Sequence, residues 1–185
     1  KERKVAVYVV HTEAYDNDGT KQKQIKQIYD ELQEEKLPFV IGGDFNELPP
    51  GALRLKGFPD ERETSVCSDD FVQPPYTPEV MKPFFDDFVP AISEATIGTT
   101  EASQKRYFSH TVLGPEQKNE DDQPGFWNRT LDYLFISKGQ KWLPGSTDVL
   151  QSKGQTIGSS GPALGVDPME LSDHAPVVGT WEVTP

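Results

Sequence analysis

Residues 4–10 (KVAVYVV) form an unbroken apolar, β-branched run, which predicts a strand buried on both faces. The polar stretch 11–19 reads as a loop. Thr20 suits an N-cap, and Ile25, Ile28, Tyr29 and Leu32 recur at helical spacing as far as about Lys36. Pro38 stops that helix, and 39–42 (FVIG) predict a second buried strand. Strand, helix and strand with short connections predict a crossover unit, and therefore an α/β fold with helices packed on sheet faces.

Periodicity fades over 47–125. Within it, Phe84, Phe85, Phe88, Val89 and Ile92 predict a short amphipathic helix, and 107–112 alternates weakly, as a half-buried strand does. The stretch 58–90 holds eight acidic residues against two basic ones. It begins a variable acidic insertion running over about 58–125, either solvated surface or a lid over a site. The pattern returns at 130–137 (TLDYLFIS), a strand interrupted by Asp132. After a Gly-, Ser- and Pro-rich loop at 152–170, the chain closes with a strand over 175–183. A single domain accounts for residues 1–185.

Composition narrows the function classes. Lys and Arg number 18 against 30 acidic residues, a net charge of −12. That balance disfavours a broad electrostatic grip on nucleic acid, but not a nucleic acid held at a local cationic metal site. One cysteine, Cys67, excludes an intrachain disulfide and a cysteine-built zinc cluster. No apolar run suits a membrane span and no leader opens the chain. The expectation is a soluble protein, either cytoplasmic or secreted with its leader removed.

Polar residues capable of acid–base chemistry interrupt the apolar strands at four places. They are His11 after VAVYVV, Asp44 and Asn46 after FVIGG, Asp132 inside TLDYLFIS, and Asp173 with His174 before APVVGTW. Taken singly, each has an ordinary reading: a structural histidine, an Asx turn, a Ser turn. Together they put the same chemistry at every strand end, where sites of α/β sheets gather. Oxygen donors without sulfur suit Mg²⁺ or Mn²⁺, and an Asp–His pair suits an oriented general base. There is no Gly-x-Ser-x-Gly elbow, no phosphate-binding glycine loop and no dinucleotide fingerprint.

The segments GGDFNELP, RTLDYLF and LSDHAPV, in that order, resemble the endonuclease/exonuclease/phosphatase superfamily, which includes the DNase I-like enzymes. VYVVHTEA and the helix KQKQIKQI are similar to what precedes GDFN in that family, so the resemblance runs from Val5 to Trp181. It implies a four-layer α/β sandwich of two packed mixed sheets with flanking helices. The implied activity is phosphoester hydrolysis with Mg²⁺ or Mn²⁺, of phosphodiesterase or nuclease type. By the same resemblance, Asp44 and Asn46 contact the scissile phosphate and Asp44 and Asp173 ligate metal. His174 activates water, Asp132 orients the His174 ring, and His11 assists the leaving group. Arg129, the cation nearest a catalytic candidate in the sequence, is the expected substrate contact, with Lys105 and Arg106 as further options. Trp127 is either a stacking platform or core, and Phe84-Phe85 either core or a membrane-facing pair.

Family members also carry an N-terminal Asn and a Glu metal ligand with no counterpart after Lys1. The expectation is a domain lacking its N-terminal part, poor in Mg²⁺ binding and weakly active or inactive by itself, its open sheet completed by an N-terminal segment or a homodimer. A phosphatase, a phospholipid or inositol phosphoesterase, and a non-catalytic binding module on the same fold remain as alternatives.

Overall fold

In the computed structural model, which describes residues 4–14, 16, 18–53, 76–111, 113–118, 122, 125–156, 158 and 161–183, the first apolar run is strand β1 (Ala6–His11). Helix α1 (Thr20–Glu34) follows, and β2 (Phe39–Asp44) returns parallel to β1, so the crossover unit is present. Gly19 rather than Thr20 caps α1, through a left-handed φ of 78°. The helix ends at Glu34, where the Glu35 carboxylate accepts from the Lys36 and Leu37 N–H groups (2.7 and 2.8 Å) and turns the chain toward Pro38.

The sheet runs β1-β2-β4-β3, with β4 (Asp132–Ile136) antiparallel both to β2 and to the two-residue β3 (Val89–Pro90). Two short antiparallel ladders complete the strands among the described residues. One joins β5 (Lys141–Trp142) to β8 (Trp181–Glu182), the other β6 (Asp148–Val149) to β7 (Val177–Val178). The architecture is mixed α/β. The single strand expected over 175–183 is thus divided between two ladders. The break falls at Gly179, where a Cβ would lie 2.7 Å from the Trp142 ring.

Helix α2 (Lys82–Asp87) is shorter than the amphipathic pattern suggests, because Val89 leaves it to pair with Ile136 in the sheet. Helices α3 (Glu94–Ile97) and α4 (Glu101–Lys105), capped by the Ser93 and Thr100 side chains, occupy part of the stretch read as irregular. No strand forms at 107–111, only isolated bridges at His110. Residues 58–75 (Cys67 among them), 112, 119–121, 123 and 124 of the acidic stretch lie outside the described residues.

Helices α1 and α2 cover one face of the sheet. Ile25, Leu32 and Phe84 meet Phe39, Ile41, Phe45, Tyr133 and Phe135 there, with Phe45 edge-on to Phe84 and Tyr133. Phe84 is fully buried, so it serves the core. β1 is covered on one face only. Ala6, Tyr8 and Val10 pack on the core, whereas Val7 and Val9 on the opposite face are 68 % and 88 % exposed. This corrects the two-sided burial expected of KVAVYVV: β1 is the edge strand, and among the described residues nothing packs over its second face. It is also the edge at which a dimer or an N-terminal segment would add a strand. Among the described residues, no helix is long and apolar enough to cross a membrane.

Gly43 lets β1 and β2 close together at their ends. Its φ is 141°, and a Cβ would lie 2.0 Å from the Val10 carbonyl oxygen. Gly43→Ala is therefore expected to cost at least about 1–3 kcal/mol, read as a lower urea midpoint with unchanged slope. An unaltered midpoint would mean that β1 moves aside at no cost.

Candidate active site

The register of β1 on β2 sets His11 opposite Asp44, and that of β2 on β4 sets Asp44 opposite Asp132. Three residues from distant parts of the sequence thus form a row across one end of the sheet. His174 comes to this row on a second support. The Ala175 N–H donates to the Ser109 carbonyl (2.6 Å), the Thr111 N–H donates to the Asp173 carbonyl (2.9 Å), and His110 bridges to both Arg129 and His174.

His174 Nδ1 lies 2.9 Å from Asp132 Oδ2, and its Nε2 lies 3.8 Å from Asp44 Oδ2. His11 Nε2 lies 3.6 Å from the same Asp44 oxygen. Only the first distance is a hydrogen bond. An ionised carboxylate can only accept, so Nδ1 carries the proton in that bond and Nε2 of the neutral ring presents its lone pair. The Asp132 bond holds the His174 pKa above the ordinary imidazole value, against the opposing effect of burial. Burial raises the Asp44 pKa, with the Asn46 N–H bond opposing it.

The DFN turn holds Asp44 in place. Its carboxylate accepts from the Asn46 N–H at 2.7 Å, and Asn46 adopts a left-handed φ of 48°. Asn46 Nδ2 donates to the Thr12 carbonyl (2.9 Å), and the Thr12 hydroxyl donates to the Phe45 carbonyl (2.5 Å). Underneath, Lys21 Nζ donates to the Asn46 carbonyl (2.8 Å) and lies 3.5 Å from Glu47 Oε2, with both side chains at 0 % exposure. Glu47 Oε1 accepts from the Leu48 and Thr77 N–H groups (2.9 and 2.8 Å). The Asx-turn reading of DFN is correct, and that same turn places Asp44 in the row.

A cavity of about 730 Å³ opens over the row. His11, Asp44, Asn46, Asp173 and His174 line it, and Asp132 is joined to it through its bond to His174. Arg129 does not meet the expectation of a direct substrate contact. It is 3 % exposed, and its guanidinium donates to Asn128 Oδ1 (2.9 Å) and to the Tyr76 hydroxyl (2.7 Å). Its contribution is to brace Tyr76, which lines the cavity. Lys105 and Arg106 pair with Glu101 and Asp148, and Trp127 is core, donating from Nε1 to the Gln151 carbonyl (2.8 Å). Neither Lys nor Arg is among the described residues lining the cavity.

Three residues escaped the sequence reading. Lys21 looks like any solvated helix lysine and Glu47 like a loop acid; burial reveals them. His110 lines the cavity beside His174, with ring centroids 4.7 Å apart. Its available signal was that it is one of only three histidines in the chain. Among the described residues, two groups of three could hold a cation: Asp44, Asp132 and His174, and His110, Asp173 and His174. Among known proteins, no family model and no curated protein matches this chain.

Proposed function

We propose that the chain is a divalent-metal-dependent phosphoester hydrolase of phosphodiesterase or nuclease type, built on the DNase I-like four-layer plan. One observation carries this reading: a His11–Asp44–Asp132 row at a cavity, with His174 anchored through Nδ1 and open at Nε2. In this role His174 Nε2 takes a proton from water as the water oxygen bonds to phosphorus and the P–O ester bond breaks. His11 gives a proton to the departing oxygen. Asp132 fixes the ring and balances the imidazolium that forms. Asn46, braced on Thr12 by one amide hydrogen, keeps the other for a phosphate oxygen.

Asp44 and Asp173 offer the oxygen donors that Mg²⁺ and Mn²⁺ take, and these are the residues that would hold such an ion. A bound ion supplies positive charge against the phosphate, which no described Lys or Arg of the cavity wall provides. The support for the four-layer plan is narrower: a mixed sheet with helices on one face and these residues at its strand ends.

The test is hydrolysis of bis-p-nitrophenyl phosphate, p-nitrophenyl phosphate, plasmid DNA, sphingomyelin and an inositol phosphate, each with Mg²⁺, Mn²⁺ or EDTA. Diester cleavage that EDTA abolishes is the expected result. Turnover of a monoester alone would make the chain a phosphatase, and turnover confined to the lipid or inositol substrate would place it with those phosphoesterases. Ion binding without turnover of any substrate would leave a non-catalytic module.

A further inference from the structure

His110, Asp173 and His174 each offer one ligand atom, and these atoms lie within 4.8 Å of one another. The backbone beneath them is braced rather than loose. His110 and His174 bridge antiparallel, and the Thr111-to-Asp173 and Ala175-to-Ser109 hydrogen bonds flank the bridge. His110 Nδ1 is shut off from solvent without a hydrogen-bond partner, a state that needs a physical reason. Asp173 is exposed.

Two imidazoles and one carboxylate are the donor set that zinc takes with an open fourth position, whereas Mg²⁺ takes oxygen. We infer that His110, Asp173 and His174 form a transition-metal site, of the Zn²⁺ class, distinct in donor chemistry from the oxygen donors of Asp44. Asp173 and His174 serve both centres, Asp173 as the carboxylate named for Mg²⁺ and His174 as the base. Zn²⁺ that engages its Nε2 removes the lone pair that water activation uses, so Zn²⁺ switches the centre off. The binding claim stands without the hydrolase reading, and the inhibition claim rests on it.

The test measures binding directly, by Zn²⁺ competition between the full chain and a chromogenic chelator, with Co²⁺ as an optical probe of coordination. One equivalent of Zn²⁺ is expected on the parent chain. His110→Ala should weaken it more than about 100-fold, beyond what losing even an outer partner of a ligand costs. The exposed Asp173→Asn is a second variant, which decides the matter if circular dichroism shows His110→Ala unfolded. Affinity that survives in both folded variants, or no stoichiometric binding at all, overturns the site. A chain that binds Zn²⁺ through these residues but hydrolyses nothing keeps the site and loses the hydrolase. Hydrolysis that continues with Zn²⁺ bound keeps the site and overturns the switch.

Discussion

Lys21→Met is expected to lower the unfolding free energy by about 3–5 kcal/mol, the range for breaking a buried ion pair by removing one partner. The methionine fills most of the lysine's volume, so a cavity is not the cause. What remains is the Glu47 carboxylate at 0 % exposure without its cation, and an Asn46 carbonyl without its donor. Burial already opposes both charges, lowering the Lys21 pKa and raising that of Glu47, and their mutual attraction works in the other direction. Removing one charge leaves the other with burial alone. The measurement is urea unfolding of Lys21→Met, Glu47→Gln and the double variant. Glu47→Gln retains an acceptor for the Leu48 and Thr77 N–H groups, so the double variant should recover much of the loss. Additive effects would show that the two residues do not act as a pair.

Asp132→Asn is expected to reduce kcat for a phosphodiester by roughly 10³–10⁴, with a smaller change in KM. The side chain keeps its shape, and the Asp132 N–H keeps its bond to Ser109 Oγ (3.0 Å), so the fold should persist. What changes is the acceptor that fixes the proton on His174 Nδ1. A neutral amide can donate to that nitrogen, which places the ring's proton on Nε2 and removes the base. It also withdraws the charge that balances the imidazolium. Steady-state kinetics beside a far-ultraviolet spectrum check this, and a kcat within about threefold of the parent would remove His174 from the role of base.

Stability and chemistry meet at the DFNE turn. Lys21 holds the carbonyl of Asn46, whose left-handed φ of 48° asparagine tolerates better than most L residues. The buried pair therefore supports the turn that delivers Asp44 to the row.

The crossover of β1, α1 and β2, the Asx turn after Gly43, and the grouping of His11, Asp44, Asp132 and His174 at strand ends were legible in the residues alone. Each depends on neighbours within a few positions: apolar period, turn chemistry, or a polar residue set into an apolar run. Other features belong to packing between segments far apart in the chain. No local pattern states that Asp132 pairs opposite Asp44, that His110 meets His174, or that 175–183 divides between two ladders. Burial behaves in the same way. Lys21 and Arg129 are interior and Val9 is exposed, against the habits of their side chains. Residue type sets what burial of a side chain costs, but the tertiary structure alone decides which side chains are covered and what partners meet them there.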